Sequence, residues 1–296
     1  TKSDKNISDY KSNLQKISLD KLRVNPIPSS KNEIWRQTNK SKFYRFLDFK
    51  FNNDFYYPHI PGNTKDHNIC RIIIGENKKI KFKEKKWEIK ELEEKEIYNF
   101  LEQKIIESDT TQNWSNLLNH FLTDRKNIIG LNISGKEIPP LEIICNSMNN
   151  FFNSKTLLIN IQKQTSVSIS QINIGDKNSA LSISTYFNIG EDSVVNHGII
   201  SFGNNKSHII NTLNVWQHKN SEYILGSLQF EYDFARLEIN INQVEGNAKT
   251  NIKGIQITKN NEQISTYANI SFNGPNGFLD QLNKSLANDK SHSVFE

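Results

Sequence analysis

Among its 296 residues the chain has only two cysteines, seven prolines, thirteen glycines and one methionine, and alanine occurs at just five positions, 180, 235, 248, 268 and 287. Cys70 and Cys145 are far apart and form no Cys-x-x-Cys pair, which excludes a disulfide-stapled secreted scaffold and reads instead as a reducing, cytoplasmic setting. No apolar stretch approaches the roughly 20 residues that cross a bilayer, and mean hydropathy is −0.63. The expectation is a soluble protein with no membrane association. Thr1-Lys2-Ser3-Asp4-Lys5 precedes no apolar run, so the start does not read as a signal peptide. A chain of this length, 35% hydrophobic and 10% aromatic, can bury a core, which excludes disorder throughout.

Asparagine and isoleucine are abundant, roughly 40 of each, far above average usage. With lysine also rich and alanine poor, this reads as a background of AT-rich coding DNA rather than as a functional signal. The pI of 8.9 has the same origin. Residues 1–150 hold 26 basic against 20 acidic side chains, and residues 151–296 hold 11 against 12. The densest basic run, Lys78 to Lys86, is followed at once by Glu91, Glu93, Glu94 and Glu96. A nucleic-acid footprint needs a basic face with stacking or base-reading groups, so this run reads as a solvated, mixed-charge surface and no nucleic-acid partner is expected.

Residues 1–125 read as a mainly helical region. Ile7, Tyr10, Leu14, Ile17 and Leu22 fall on one helical stripe that stops at Pro26-Ile27-Pro28. Tyr57 to Gly62 reads as a loop, Cys70–Gly75 as a strand with Lys79–Phe82 as its hairpin mate, 87–107 as one helix and Trp114–Leu122 as another. From about position 126 to the end at 296, short apolar runs recur, with Gly, Asn, Asp or Ser between them and their starts spaced by little more than one strand and a turn. Ser166–Ile174 shows a phase slip: Val167 and Ile169 point one way, Ile172 and Ile174 the other, as at a bend between two short strands. Such spacing fits a sandwich, a barrel or a solenoid. Few runs are joined by two-residue hairpin turns, and periodicity alone leaves solenoid and sandwich even.

Few residues suggest chemistry. His67 and Cys70 have a ligand-like spacing, but a soft-metal site needs three or four ligands and no second pair lies nearby, so no metal site is expected. The other histidines, His59, His120, His197, His208, His218 and His292, are isolated, and an iron–sulfur cluster normally takes about four thiolates, twice what this chain offers. Glu231 and Asp233 read as i, i+2 on one strand face with Glu238 on the next strand, and paired carboxylates are what glycoside hydrolysis uses. That makes a β-helical carbohydrate-active enzyme the alternative reading, although no aromatic ladder for sugar accompanies these acids. The G-x-S-x-G, Walker A and H-E-x-x-H patterns are absent.

Two segments carry a family resemblance. Lys31-Asn32-Glu33-Ile34-Trp35-Arg36-Gln37-Thr38 resembles the basic-x-Glu-x-Trp-[Arg/Lys]-x-Thr motif of SufD, in the SufB/SufD family of SUF iron–sulfur cluster assembly proteins. Gly277 to Phe295 resembles the family stretch in which a Gln-x-x-Lys run, here Gln281 to Lys284, leads through an Asp-Lys turn at Asp289-Lys290 into Val294-Phe295. The resemblance implies a right-handed parallel β-helix after a helical N-terminal region, and strand and turn rather than helix over Gly277–Phe295. It implies a non-catalytic scaffold subunit, with no catalytic residues, that pairs with a SufB-like paralogue and a SufC-like ATPase, a homodimer being a further option. It also implies an iron–sulfur cluster, and reduced flavin, in the assembled complex rather than on this chain alone. Phe272 stands where the family usually has His. By the family's pattern the sequence stops about a hundred residues short of the helices that dock SufC, leaving strand edges exposed on its last coil.

Overall fold

The computed structural model describes residues 2–25, 27–29, 31–52, 54–58, 69–76, 88–107, 113–204 and 206–296. The expected breaker at Pro26, most of the Tyr57–Gly62 loop, His59, His67, the hairpin mate at 79–82 and the basic run lie outside these residues. The N-terminal part contains α1 (Lys2–Val24), α2 (Lys40–Asp48), β1 (Lys50–Phe51), β2 (Cys70–Ile73), β3 (Glu88–Glu91), α3 (Glu94–Glu107) and α4 (Trp114–Leu122). Strands then follow one another: β4 (Ile128–Ser134), β5 (Leu141–Asn146), β6 (Phe151–Ile161), β7 (Ser166–Ile174), β8 (Ala180–Ile189) and β9 (Val194–Phe202). The series closes with β10 (His208–Gln217), β11 (Glu222–Phe230), β12 (Phe234–Gln243), β13 (Lys249–Thr258), β14 (Gln263–Phe272), β15 (Phe278–Ala287) and β16 (His292–Phe295).

From β4 on, even strands form one sheet, in the order β16-β14-β12-β10-β8-β6-β4-β3, and odd strands the other, β15-β13-β11-β9-β7-β5-β2. Every pairing is parallel except β3 with β4. Each coil of this parallel β-solenoid is one strand of each sheet, so strands adjacent in sequence never pair and hairpin turns are not needed. Sandwich and barrel, left open by periodicity, are thereby excluded. Strands from before residue 126 join the sheets as well: β1 pairs with β6, β2 with β5 and β3 with β4.

Equivalent positions run in register from Phe152 through Ala180, His208, Phe234 and Gln263 to His292. The coil is thus nearly constant in length and is shortest between His208 and Phe234. The interior is built from columns of like side chains. Ile159, Phe187, Val215, Ile241 and Ile270 stack in register on the first sheet, each fully buried aliphatic or aromatic contributing about 1.5–3 kcal/mol.

The corners put some of the asparagine to use. Every strand-to-strand turn from β5 to β16 holds one residue with positive φ, and six of these eleven are Asn: 150, 178, 220, 247, 260 and 276. Asparagine tolerates the left-handed region because its short polar side chain bonds locally. The side chains also form ladders: Asn220 Nδ2 donates to Asp192 Oδ1 at 2.9 Å, Asn247 to Asn220 at 3.2 Å and Asn276 to Asn247 at 3.1 Å. On the first sheet, Asn188 donates to Asn160 at 3.0 Å and Asn160 to Asn132 at 2.9 Å. These asparagines therefore have structural roles, whatever the coding bias behind the composition.

Two local expectations are corrected. Ser166–Ile174 is one strand, not two; Gln171 and Asn173 take the inward positions and send Ile172 and Ile174 outward. These amides are satisfied inside, because Gln171 Nε2 donates to Asn173 Oδ1 at 3.0 Å, Asn173 Nδ2 to Ser201 Oγ at 2.9 Å, and Thr185 Oγ1 to Gln171 Oε1 at 3.1 Å. Residues 87–107 are not one helix: Ile89 sits opposite Ile133 in an antiparallel bridge, the chain turns at Leu92-Glu93, and helix begins at Glu94. Gly277–Phe295 is strand, turn and strand, with the turn at Asp289 (φ 59), as the resemblance implies.

The helices pack on the outer face of the first sheet. Leu14 of α1, Ile97, Tyr98, Leu101 and Ile105 of α3 and Leu117 of α4 form one cluster with Leu158 and Tyr186. Trp35, α2 through Phe43 and Phe46, and Trp114 form a second with Phe152, Ala180, Ile210 and Phe234.

Candidate functional site

The N-terminal motif is a clasp. Glu33–Trp35 forms a single 3-10 turn that lays the Trp35 indole against Phe43 (ring centroids 5.0 Å apart) and Trp114 (6.2 Å). Arg236 of β12 rises from the sheet beneath it and is wholly buried. Its guanidinium carbon lies 3.7 Å from the Trp35 ring centroid and 3.8 Å from that of Tyr267, so the cation is held between two aromatic faces. Each guanidinium nitrogen donates once: Nε to Glu238 Oε1 at 2.5 Å, Nη1 to Thr38 Oγ1 at 3.2 Å and Nη2 to the Ile34 carbonyl at 2.8 Å. Ser115 Oγ of α4 donates to the same Glu238 oxygen at 3.2 Å. One coil further on, Gln263 Nε2 donates to the Gln37 carbonyl at 2.7 Å and its Oε1 accepts from the Asn39 amide at 2.8 Å. Trp35 and Thr38 of the motif thus read as packing residues, whereas Glu33 and Arg36 are exposed.

The three candidate carboxylates do not converge. Glu238 is 5% exposed and is the counter-ion of Arg236. Glu231 is not on a strand; it is the left-handed corner between β11 and β12 (φ 61), with its carboxylate 3.0 Å from Lys259 Nζ. Asp233, in the same turn, pairs with Lys42 Nζ at 2.5 Å and faces His208 Nε2 at 3.5 Å. Glu231 and Asp233 do border one cavity of about 440 Å³, with Lys206, Lys259, Glu262 and three asparagines around it. Among the described residues the lining holds no aromatic side chain to stack a sugar, and Glu231 and Asp233 each already face a cation.

Both thiols point into the solenoid. Cys145 is fully buried, and burial pushes its pKa up to about 12; burial raises the Cys70 thiol as well. Such thiols stay protonated, while metal and cluster ligation requires thiolate, so this pair does not fit a cluster. Burial also lowers His120 and His197 to about 3, and His208 to about 4 against the opposing pull of Asp233. His197 Nδ1 is 2.7 Å from the Tyr223 hydroxyl and His120 Nε2 is 2.5 Å from that of Tyr186, so both histidines sit in the packing. Among the described residues no three His, Cys, Asp or Glu side chains gather as a metal site, and no helix is long and apolar enough to cross a membrane.

The last strand of each sheet, β16 and β15, pairs on one side only. Their surroundings expose Phe272, Phe278, Leu282 and Leu286, the last at 66%.

Compared with known families, residues 143–296 match the family described as SUF system FeS cluster assembly, SufBD core domain. That region covers about half of the chain, running from β5 through β16. Comparison with curated proteins gives no match.

Proposed function

The chain belongs to the SufB/SufD core-domain family of the SUF iron–sulfur assembly system, and from that premise we propose that it is a SufD-like, non-catalytic scaffold subunit working in the cytoplasm. On this reading it pairs with a SufB-like paralogue and a SufC-like ATPase, and the nascent cluster is cargo of the complex. The observation that carries the proposal is Arg236. A cation fully buried between Trp35 and Tyr267 and tied to Thr38 and Ile34 locks the N-terminal region onto the solenoid, so force applied at one is transmitted to the other rather than dissipated in a hinge. A scaffold strained by nucleotide turnover in a partner needs that rigidity. The buried, protonated thiols support a further element of the reading: cluster ligands, and reduced flavin where the complex binds it, belong where subunits meet and not inside this solenoid.

Co-expression with SufB and SufC homologues tests this. The expected result is a complex that survives affinity capture and size-exclusion chromatography; a full-length protein that captures neither partner overturns it.

A further inference from the structure

The two sheets have unequal outer faces. Parallel sheets are normally covered on both faces, yet the helices cover the first sheet, and the second leaves Ile200 40%, Ile255 46% and Ile257 39% exposed. These side chains belong to two continuous columns. Ile172, Ile200, Leu228 and Ile255 are in register from β7 to β13. Beside them run Ile174, Phe202, Phe230 and Ile257, with Phe202 and Phe230 stacked at 6.0 Å.

Next to this ridge lies a column of minimal side chains: Ser170, Gly198 and Gly226, again in register. Glycine weakens a strand, and nothing among the described residues calls for it here. Neither glycine has a positive φ. Among the described residues, a Cβ at Gly226 would meet no atom within 4 Å, and one at Gly198 only Ser170 Oγ at 4.0 Å. Among the described residues nothing occupies the space above these small side chains, which form a floor beside an apolar wall.

Charge selects the occupant. Over the three columns from β7 to β15 the charged side chains are Lys253, in register with Gly226, and Lys284, in register with Ile255. Neither makes an ion pair or hydrogen bond among the described residues, and no acid lies in these columns between β7 and β15; Glu142 of β5, in register with Ser170, is already paired with Arg71, and Glu222 and Asp280 lie in the columns further along the strands. Coils are about 4.8 Å apart, so four steps from β7 to β15 span roughly 19 Å, the length of roughly 13 helical residues at 1.5 Å each. We propose that this face receives an amphipathic helix of a partner protein, its apolar stripe against the Ile–Phe ridge, its backbone over Gly198 and Gly226, and its carboxylates at the end that meets Lys253 and Lys284. The inference concerns the solenoid's flank and stands independently of the scaffold reading.

The test uses the full chain and three fluorescein-labelled, stapled helical peptides of five turns each. One carries leucines at i, i+3, i+4 and i+7 with glutamates beside them at one end, the second has lysine for glutamate, and the third is a scramble of the first. The acidic peptide is expected to bind at least tenfold more tightly than either other by fluorescence anisotropy. Gly226→Val and Gly198→Val each fill the floor without meeting the fold and should cut that binding tenfold or more with an unchanged or higher melting temperature. Lys253→Glu with Lys284→Glu should reverse the preference between the acidic and basic peptides. Equal binding of the scramble, or full binding by both valine variants, overturns the proposal. So does a wild-type chain that self-associates in sedimentation while Gly226→Val stays monomeric, which would give the face to a second copy.

Discussion

The guanidinium of Arg236 lies 3.7 Å above the indole of Trp35, joining two residues that are remote in sequence and that hold the N-terminal region to the solenoid. Removing the cation alone leaves Glu238 buried beside Ser115 with its charge uncompensated, and breaking one side of such a pair costs about 3–5 kcal/mol. Arg236→Met should lose that much in urea unfolding, whereas Arg236→Met with Glu238→Leu should recover most of it. A cycle of Trp35→Ala and Arg236→Met should show coupling of about 1–2 kcal/mol. Additive effects of the two would mean that the stacking contributes nothing.

The corners make a second prediction. Asn247 has φ 62 and sits in the middle of a ladder from Asp192 to Asn276. A left-handed alanine costs roughly 1–2 kcal/mol that glycine does not, so Asn247→Ala should fall below Asn247→Gly by about that difference in urea. The glycine variant should itself lie below wild type, because it loses bonds to Asn220 and Asn276. Equal stability of the alanine and glycine variants would show that the corner relaxes.

A third concerns acid. His120, His197 and His208 are held neutral in the native protein by burial, at about 3, 3 and 4, whereas the unfolded chain takes up these protons near 6.5. Their contribution is complete above that value and drains away as pH falls from about 6.5 to about 4 for His208 and about 3 for His120 and His197. Each histidine costs up to about 1.4 kcal/mol per pH unit across that window. The urea midpoint should therefore drop between pH 7 and pH 5. His197→Leu should be less stable at pH 8, having lost its bond to Tyr223, but should show a shallower pH slope. An unaltered slope would place the proton uptake elsewhere.

The β-strands are legible because Ile, Val and Phe recur at alternate positions, and β7, β8 and β9 begin and end where that pattern does. What misleads is β7, where buried Gln171 and Asn173 invert the usual rule that polar side chains face water: the signal of burial is apolarity, and a satisfied amide does not carry it. Ile89 is absorbed into a helical stripe because a single isoleucine fits either period, and only its partner Ile133 decides. Solenoid and sandwich stay even because pairing between coils is non-local, with a whole coil of chain between partners. Yet Asn132, Asn160 and Asn188 repeat at one constant interval, and Asp192 and Asn220 share it, so counting them finds the coil. Trp35 draws notice through a family motif, but its role cannot be read from spacing, since Arg236 bears no local mark. Glu238 looks available for chemistry because its counter-ion Arg236, two positions earlier on the same strand, reads in sequence as one more polar residue of the run.

The short step between His208 and Phe234 has an instructive origin. The turn after β11 is only Glu231 to Asp233, two positions shorter than the turns after β7 and β9, and the strands on either side keep full register. Length variation has been absorbed at the corner alone. Evolution can therefore lengthen or shorten this molecule freely only there, by a residue or two, or elsewhere by inserting or deleting a whole coil. A single-residue insertion inside any strand would turn its inner and outer faces over, so the gene should drift in length by corner-sized or coil-sized amounts and by little in between.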